Sequence, residues 1–387
     1  MTTEPQTTDP LTALQSIGLF TGVPQHENFN RMAQLLPSMR MVPSGSPRPW
    51  KTGAQVSAPE SFLWDGETKS FEEFFVETDT AALLMIEDGE IRYERYALTG
   101  GVDVPWISMS VAKSFVSTLV GIALEEGHIE SLEQPISDYI KVRPGSAYDG
   151  VSIKDVLRMS SGARWNEDYS NPESDIFGLT AAMAGIGALE DFVANMVRES
   201  EPGTVCRYNS GETQALGLLV IKATGRTLSD YMHEKLVEPL GFEAPSYWLI
   251  DAVGIEQAYA CLNATARDFA RLGDLFLNGG KIDGRQIVSE QWVRDATHYD
   301  DPMRAPGVPV SAGEQIGLGY GYQWWIPAGD EGEFSAIGVY NQLVYVNPAR
   351  RRVVVKLSAN RAYGTAPDEA TNRNEENVCF VRALAQV

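Results

Sequence analysis

The chain is poor in the residues on which metal and thiol chemistry depend. Its 387 residues include only 3 cysteines and 4 histidines. Cys206, Cys261 and Cys379 lie far apart without a CxxC pair, so neither a disulfide framework nor a zinc site is expected. The histidines form no HExxH pair, and no G-x-S-x-G segment occurs. These absences argue against a zinc hydrolase and against a serine hydrolase that uses histidine as its base.

Basic residues are also in short supply. The chain has 31 Lys and Arg against 52 Asp and Glu, which gives a formal net charge of −21. An acidic surface repels phosphate backbones and anionic lipid headgroups. We therefore expect neither nucleic acid nor a membrane as a partner, and the absence of GxGxxG and P-loop motifs argues against nucleotide chemistry. The sequence predicts no oligomeric state.

Long apolar runs are missing as well. No stretch reaches the length needed to span a bilayer, and residues 1–15 lack the basic and apolar regions of a signal peptide. Together with the few scattered cysteines, this predicts a soluble cytoplasmic protein. Hydrophobic residues still make up 43% of the chain, which is enough for a sizeable packed core.

Strands are predicted near both ends of the chain. Two β-rich runs flank Asp88-Gly89, a strong signal for a two-residue hairpin. Strands are predicted again in the C-terminal part, at YGYQWWIP, FSAIGVYNQLVYVNP and RRVVVKLSAN. Short connections of this kind favour antiparallel pairing.

The middle of the chain is predicted to be mainly helical. The pattern predicts an α+β fold in which an antiparallel sheet, flanked by helices, is built from both ends and carries an inserted mainly helical domain. The expected division is an N-terminal arm at residues 1–55, a sheet domain at 56–122 and 286–387, and the helical region at 123–285.

A serine and a lysine three residues apart provide the strongest chemical signal. The pattern S-x-x-K occurs once, at Ser110 and Lys113, where a buried helix is predicted from Ser110 to Ile129. Side chains at i and i+3 share one helix face and can touch. Burial lowers a lysine pKa, so Lys113 could accept the proton of Ser110. The same pattern alone also fits a helix-capping serine beside a lysine that reaches solvent.

Tyr208 is a candidate proton relay. It lies in RYNSGETQALGLL, residues 207–219, in a loop before a predicted helix. There it could carry a proton between Ser110, Lys113 and a leaving group, provided that nearby cations lower its pKa. A tyrosine packed on the core is the structural alternative.

Gly338, in the strand segment FSAIGVYNQLVYVNP, would let the backbone approach a bound acyl group without an intervening side chain. The N–H of Val339 could then join the N–H of Ser110 in an oxyanion hole. An ordinary strand with a glycine bulge is the alternative.

These three elements, in this order, resemble the serine β-lactamase and penicillin-binding-protein superfamily, which is marked by S-x-x-K, a Tyr motif and a K-T-G-like strand. The local sequence is most similar to its class C-like branch, which includes family VIII carboxylesterases and 6-aminohexanoate-dimer hydrolases. The resemblance runs from about residue 80 to about residue 360 and implies a β-lactamase/penicillin-binding-protein-like fold. It is carried by SMSVAKSF at 108–115, VLRMSSGARWNEDY at 156–169 and SAIGVYNQ at 335–342.

The resemblance implies roles for single residues. Ser110 would be the nucleophile, Lys113 its base partner and Tyr208 the proton relay. The backbones of Ser110 and Val339 would supply the oxyanion hole. Tyr169 resembles a tyrosine that caps the substrate in the nylon-oligomer hydrolases.

Ser210 and Gly338 complete the candidate substrate-binding residues. Members of the superfamily need no metal and no organic cofactor, so none is expected here. The implied partner is a small-molecule ester or amide.

Two departures from the family pattern narrow the substrate. Ala336-Ile337 stands where β-lactamases carry a cation before the strand glycine, and Ser210 replaces the usual asparagine two residues after the tyrosine. The missing cation argues against a β-lactam or cell-wall peptide, whose carboxylate it would hold. The sequence thus predicts a serine hydrolase of a carboxylic ester or linear amide. A β-lactamase or D-Ala-D-Ala peptidase-like enzyme, an acyltransferase and a catalytically silent ligand-binding relative remain alternatives.

Overall fold

The computed structural model describes residues 16–387, and within them an eight-stranded sheet is built from both ends of the chain. Its strands are β1 Lys51–Thr52, β2 Thr80–Glu87, β3 Glu90–Tyr96, β4 Gly319–Tyr320, β5 Trp325–Ile326, β6 Phe334–Gly338, β7 Gln342–Asn347 and β8 Arg352–Ser358. In spatial order the sheet runs β4-β5-β6-β7-β8-β2-β3-β1, and only the edge pair β1–β3 is parallel. The predicted antiparallel sheet is thereby confirmed.

Two tight turns organise this sheet. Asp88 and Gly89 join β2 to β3 with φ of 48° and 79°, as a type I′ hairpin requires. The segment predicted as one strand around Gly338 is instead a second hairpin. Tyr340 and Asn341 have φ of 63° and 65° and reverse the chain between β6 and β7, because left-handed residues cannot continue a strand.

Helices cover both faces of the sheet. The longer ones are α1 Phe71–Glu77, α2 Ala112–Glu125, α3 Ser210–Thr224, α4 Ala266–Leu277 and α5 Asn374–Leu384. Shorter helices lie at His26–Phe29, Met32–Leu35, Ile153–Leu157, Asp175–Thr180, Leu189–Ala194, Leu228–Met232, Glu238–Leu240, Glu290–Ala296 and Glu369–Asn372.

Close packing fixes these helices against the sheet. In α4, a Cβ atom on Gly273 would lie only 2.5 Å from Val353 of β8. On the opposite face, the Phe380 ring of α5 stacks on Phe71 and Phe74 of α1 at centroid distances of 4.0 and 4.7 Å. The sheet is therefore flanked by helices as predicted.

A second, four-stranded sheet holds the chain just before Ser110. Its strands, in spatial order, are Ser38–Met41, Ser246–Leu249, Leu262–Ala264 and Trp106–Ile107. Ser108 N continues the pairing by donating to the Leu262 carbonyl at 2.7 Å. Two-stranded ribbons pair Ser61–Trp64 with Glu67–Ser70, Lys281–Ile282 with Arg285–Gln286, and Val310–Ser311 with Gln315–Ile316.

Between β3 and β4, helices α2, α3 and α4 and most of the shorter helices lie among short strands, and the predicted inserted domain at 123–285 stays a prediction. The boundaries at residues 56, 123 and 286 stay predictions, and α2 runs through residue 123. Of the predicted arm, residues 1–15 lie outside the described residues. No helix of residues 16–387 is long and apolar enough to cross a membrane, and the three cysteines are unpaired.

Candidate active site

Ser110 lies in a short 3-10 turn, Met109–Val111, that leads directly into α2. The helix predicted over 110–129 is therefore divided, with its α-helical part at Ala112–Glu125. Met109 has φ of 45°, an uncommon conformation for a side-chain-bearing residue outside functional sites. The turn presents Ser110 at the N-terminal end of the helix, where the dipole favours developing negative charge.

Lys113 lies one turn further, and three acceptors surround its amine. Nζ lies 2.9 Å from Ser110 Oγ, 3.0 Å from Ser210 Oγ and 2.9 Å from the Tyr259 carbonyl oxygen. Burial lowers the pKa of Lys113 to about 8, although the negative charge of Glu167 acts in the opposite direction. Roughly a tenth of Lys113 is thus a neutral amine at pH 7.

The neutral amine has two N–H bonds and one lone pair, and its neighbours decide where each points. The Tyr259 carbonyl can only accept a hydrogen bond. Ser210 Oγ gives its own proton to Glu167 Oε1 at 2.8 Å, so it accepts from Lys113. Both N–H bonds are then used, and the lone pair faces Ser110. Ser110 is therefore the hydroxyl that Lys113 can deprotonate.

A buried carboxylate, Glu167, organises this network. Oε1 accepts hydrogen bonds from Ser210 Oγ at 2.8 Å and from the Tyr169 hydroxyl at 2.7 Å. Oε2 accepts from Ser210 N at 3.0 Å and from Trp165 Nε1 at 2.6 Å. Four donors stabilise the negative charge in the interior. The charge in turn acts on Lys113 through Ser210.

Tyr208 lies beside this pair. Lys113 Nζ is 4.9 Å from the centre of the Tyr208 ring, which stacks on Trp325 at 5.2 Å. Burial and the charge of Glu167 raise the pKa of Tyr208 well above its usual value, and the contact with Ser110 opposes this only in part. The lowering of this pKa by nearby cations, on which the relay was predicted to depend, is not found. The phenol keeps its proton near neutral pH.

The end of β6 lies against the Ser110 turn. A Cβ atom on Gly338 would lie 2.9 Å from Ser110 N and 2.8 Å from the Ser108 carbonyl oxygen, so only glycine permits the approach. The glycine admits the Ser110 backbone, and its expected contact with an acyl group stays a prediction. This contact brings Val339 next to Ser110. The oxyanion role of the two N–H groups stays a prediction.

Two cavities meet at Ser110, and Tyr169 and Val339 line both of them. The first, here called the apolar pocket, has a volume of about 50 Å³. The second, here called the relay pocket, has a volume of about 30 Å³. Leu19, Phe20, Ile107, Ser210 and Tyr259 are among the other residues of the apolar pocket. Tyr208, Trp325, Ile337, Gly338 and Asn374 are among those of the relay pocket.

The structure thus brings together all the candidate residues. Ser110, Tyr169, Tyr208, Ser210, Gly338 and Val339 line the cavities, and Lys113 contacts Ser110. Ser210 was predicted to bind substrate, and its hydroxyl is engaged by Lys113 and Glu167. A substrate contact of Ser210 stays a prediction.

Sequence reasoning missed Glu167, Tyr259 and Phe20. Glu167 had a usable signal, since it lies between aromatic residues in WNEDY, two positions before Tyr169. Tyr259 contributes a backbone carbonyl, which any residue carries. Phe20 lies in the predicted arm and reaches the site only in the folded chain. Within residues 16–387, no cluster of three or more His, Cys, Asp or Glu side chains could hold a metal ion.

Comparisons with known sequences relate this chain to a family and to two relatives. Residues 69–379 match the family described as Beta-lactamase. A 6-aminohexanoate-dimer hydrolase from Paenarthrobacter ureafaciens is 29% identical over 340 residues, which cover 86% of this chain and 84% of that protein. A lovastatin esterase from Penicillium rubens is 27% identical over 213 residues, covering 52% of this chain and 44% of that protein.

Solved structures share the fold. A Bacillus anthracis protein, provisionally described as a 6-aminohexanoate-dimer hydrolase, superposes with a TM-score of 0.81 at 24% identity, over 93% of this chain and 92% of that chain. An octameric penicillin-binding protein homologue from Pyrococcus abyssi superposes with a TM-score of 0.58 at 18% identity, over 82% and 76% of the two chains. The predicted fold class is confirmed.

Proposed function

This chain belongs to the beta-lactamase family, and on that premise we propose that it is a serine hydrolase of small carboxylic esters or linear amides. Its acyl-enzyme forms on Ser110, with Lys113 and Tyr208 as the acid–base pair. The relatives at 29% and 27% identity are named as a dimer hydrolase and an esterase. Both kinds of bond can be cleaved through an acyl-enzyme.

The orientation of Lys113 carries this proposal. Its amine lies 2.9 Å from Ser110 Oγ, and its pKa is lowered to about 8. The two other acceptors of Lys113 leave the lone pair for Ser110. A general base within hydrogen-bond reach and with a pKa near the working pH is what an unactivated serine requires.

Acylation then follows from the positions of three side chains. Ser110 Oγ attacks the substrate carbonyl carbon while its proton passes to Lys113, and the N–H groups of Ser110 and Val339 stabilise the oxyanion. As the bond to the leaving atom breaks, the Tyr208 phenol gives its proton to that atom and regains one from Lys113.

Water completes the cycle. It attacks the acyl carbon as one of its protons passes to Lys113. The bond to Ser110 Oγ then breaks, and Oγ takes that proton back. The raised pKa of Tyr208 keeps its phenol protonated until the leaving atom needs a proton.

An ester or linear amide fits the site better than a β-lactam. Ala336-Ile337 stands where β-lactamases carry a cation before the strand glycine, and Ile337 is an apolar wall of the relay pocket. A substrate carboxylate would be left there without a charged partner, which costs free energy in a buried site.

The proposal is tested with p-nitrophenyl butyrate, 6-aminohexanoate dimer and nitrocefin as parallel substrates. We expect turnover of the ester or the dimer, little of nitrocefin, and intact-mass detection of one acyl group on Ser110. The absence of both turnover and an adduct with all three substrates would favour the ligand-binding alternative. Addition of a competing alcohol separates hydrolysis from acyl transfer, since only the latter yields mainly the new ester.

A further inference from the structure

A segment from the N-terminal part of the chain forms one wall of the site. Residues 17–25 form a turn, and its Leu19 and Phe20 line the apolar pocket together with Ser110. We propose that Phe20 limits the length of the acyl chain that this pocket accepts. This assignment rests on the proposed acyl-enzyme chemistry at Ser110.

Aromatic contacts hold Phe20 in place. Its ring stacks on Tyr169 at a centroid distance of 4.3 Å and on Tyr340 at 5.1 Å. Its backbone N–H donates to the Tyr340 hydroxyl at 2.7 Å. A Cβ atom on Gly364 would lie only 2.5 Å from Phe20 Cδ1, so no side chain could stand there. The ring is thus clamped between the substrate-capping candidate Tyr169 and the hairpin that carries Val339.

The turn itself is rigidly built. Gln25 is fully buried, and its Nε2 donates to the carbonyl oxygens of Ile17 at 2.6 Å and Val23 at 3.0 Å. Phe20 has φ of 62°, a left-handed conformation that is strained for a residue with a side chain. Such a conformation persists only where surrounding contacts enforce it, which these contacts do.

The acyl group belongs on the Phe20 side because of Tyr208. The relay must reach the leaving atom, and Tyr208 lines the relay pocket. The leaving group therefore lies in the relay pocket, and the acyl chain lies in the apolar pocket. At about 50 Å³, that pocket has room for only a few water molecules, each of which needs roughly 10–15 Å³ of such a cavity. It fits a short acyl chain until Phe20 is moved or removed.

The test compares Phe20→Ala with Val23→Ala, a control in the same turn whose side chain is exposed. Initial rates are measured on p-nitrophenyl acetate, butyrate and octanoate, with the leaving group held constant. We expect Phe20→Ala to raise the octanoate-to-acetate ratio of kcat/KM by about tenfold or more, the discrimination typical of a few methylene groups in an apolar pocket. Phe20→Leu should give an intermediate ratio, and Val23→Ala the parental one.

The outcomes separate this inference from the function on which it rests. If Phe20→Ala lowers kcat/KM for all three esters in parallel, Phe20 only supports Tyr169 and the inference is wrong, while the hydrolase stands. An unchanged ratio with unchanged rates overturns it equally. If the parent acylates Ser110 with none of the esters, the proposed function fails, and the inference fails with it.

Discussion

Among residues 16–387, two buried lysines, Lys113 and Lys356, each contact a buried serine, and the pair of Lys113 and Ser110 lies at two cavities. Lys113 Nζ lies 2.9 Å from Ser110 Oγ, and Lys356 Nζ lies 2.6 Å from Ser358 Oγ. Burial lowers the pKa of both lysines, that of Lys356 well below its usual value. Both amines also lie near aromatic rings, for Lys356 those of Phe74 at 5.4 Å and Phe380 at 5.7 Å.

Their surroundings differ in access and in hydrogen bonding. Ser358 is fully buried and lines neither cavity at Ser110. It sits at the end of β8, with Thr80 as a further contact at 3.3 Å. Ser110 lines two cavities. The end of β6 and the relay candidate Tyr208 lie beside it. Lys113 has two further acceptors that orient its lone pair. Among the described residues, Ser358 is the only hydrogen-bond partner of the Lys356 amine.

On physical grounds, a lysine with a lowered pKa beside a serine does not by itself meet the requirements of nucleophilic catalysis. The hydroxyl also needs room for a carbonyl group, donors for the oxyanion and a base whose lone pair faces it. The Lys356 pair provides a natural internal control for each of these requirements.

The serine comparison should give the largest effect. We expect Ser110→Ala to lower kcat/KM for p-nitrophenyl butyrate by roughly 10³-fold or more, since loss of a nucleophile removes the covalent route. Ser358→Ala should leave kcat/KM within about threefold, since mutations outside the transition-state contacts change it little. Steady-state rates on the two purified variants decide the matter. Comparable losses in both would mean that Ser110 has no special role.

The lysine comparison follows. Lys113→Met should lower kcat by about 10²- to 10⁴-fold, the range of a general base, with a smaller effect on KM. Lys356→Met should keep kcat close to that of the parent. A variant Lys113→Met that retains parental kcat would remove Lys113 from the mechanism. Circular dichroism of both variants guards against misfolding.

The pH profile tests how Glu167 acts on Lys113. In the parent, kcat/KM should rise with pH through an apparent pKa of about 8 as Lys113 loses its proton. Since the charge of Glu167 raises the pKa of Lys113, Glu167→Gln should shift this rise to lower pH. The loss of one hydrogen-bond acceptor should also lower the plateau by roughly tenfold.

Glu212→Gln is the matched control for that experiment. Burial raises the pKa of Glu212 well above its usual value, which favours the uncharged carboxyl group that a neutral amide imitates. Its profile should coincide with that of the parent. A shift to higher pH in Glu167→Gln would contradict the assigned direction of the Glu167 charge.

The smallest expected effect is that of Lys356→Met on how the free energy of unfolding depends on pH. The folded pKa of Lys356 is lowered, so between that value and the unfolded pKa of about 10.4 the unfolded state binds more protons, and stability rises with pH. Lys356→Met removes this contribution and should flatten the dependence by up to about 1.4 kcal/mol per pH unit. Urea unfolding between pH 7 and 10 measures it. An unchanged slope would mean that Lys356 is charged in the folded protein.

Local sequence accounts for much of the fold and of the chemistry. The turn residues Asp88 and Gly89 predict the β2–β3 hairpin because few residues adopt its left-handed angles. The i, i+3 spacing of Ser110 and Lys113 and the apolar residues around them predict a buried pair. The family resemblance extends this to Tyr208 and the strand glycine, Gly338.

The remaining features depend on residues that are distant along the chain. The Tyr259 carbonyl and the Glu167 carboxylate orient Lys113 and Ser210 only once helices α2 and α3 pack beside their loops. Tyr208 acquires a raised rather than a lowered pKa because the folded chain buries it near an anion. Phe20 reaches the apolar pocket across the whole fold.

The sequence by itself determined which atoms can react, because spacing along one helix is a local property. Only the tertiary structure shows that the Ser110–Lys113 pair lies at cavities while the Ser358–Lys356 pair lines neither of them, which is why the proposed chemistry is assigned to the first pair. Access, the direction of a lone pair and the local electric field depend on groups from several distant segments, and no local pattern encodes where those segments meet.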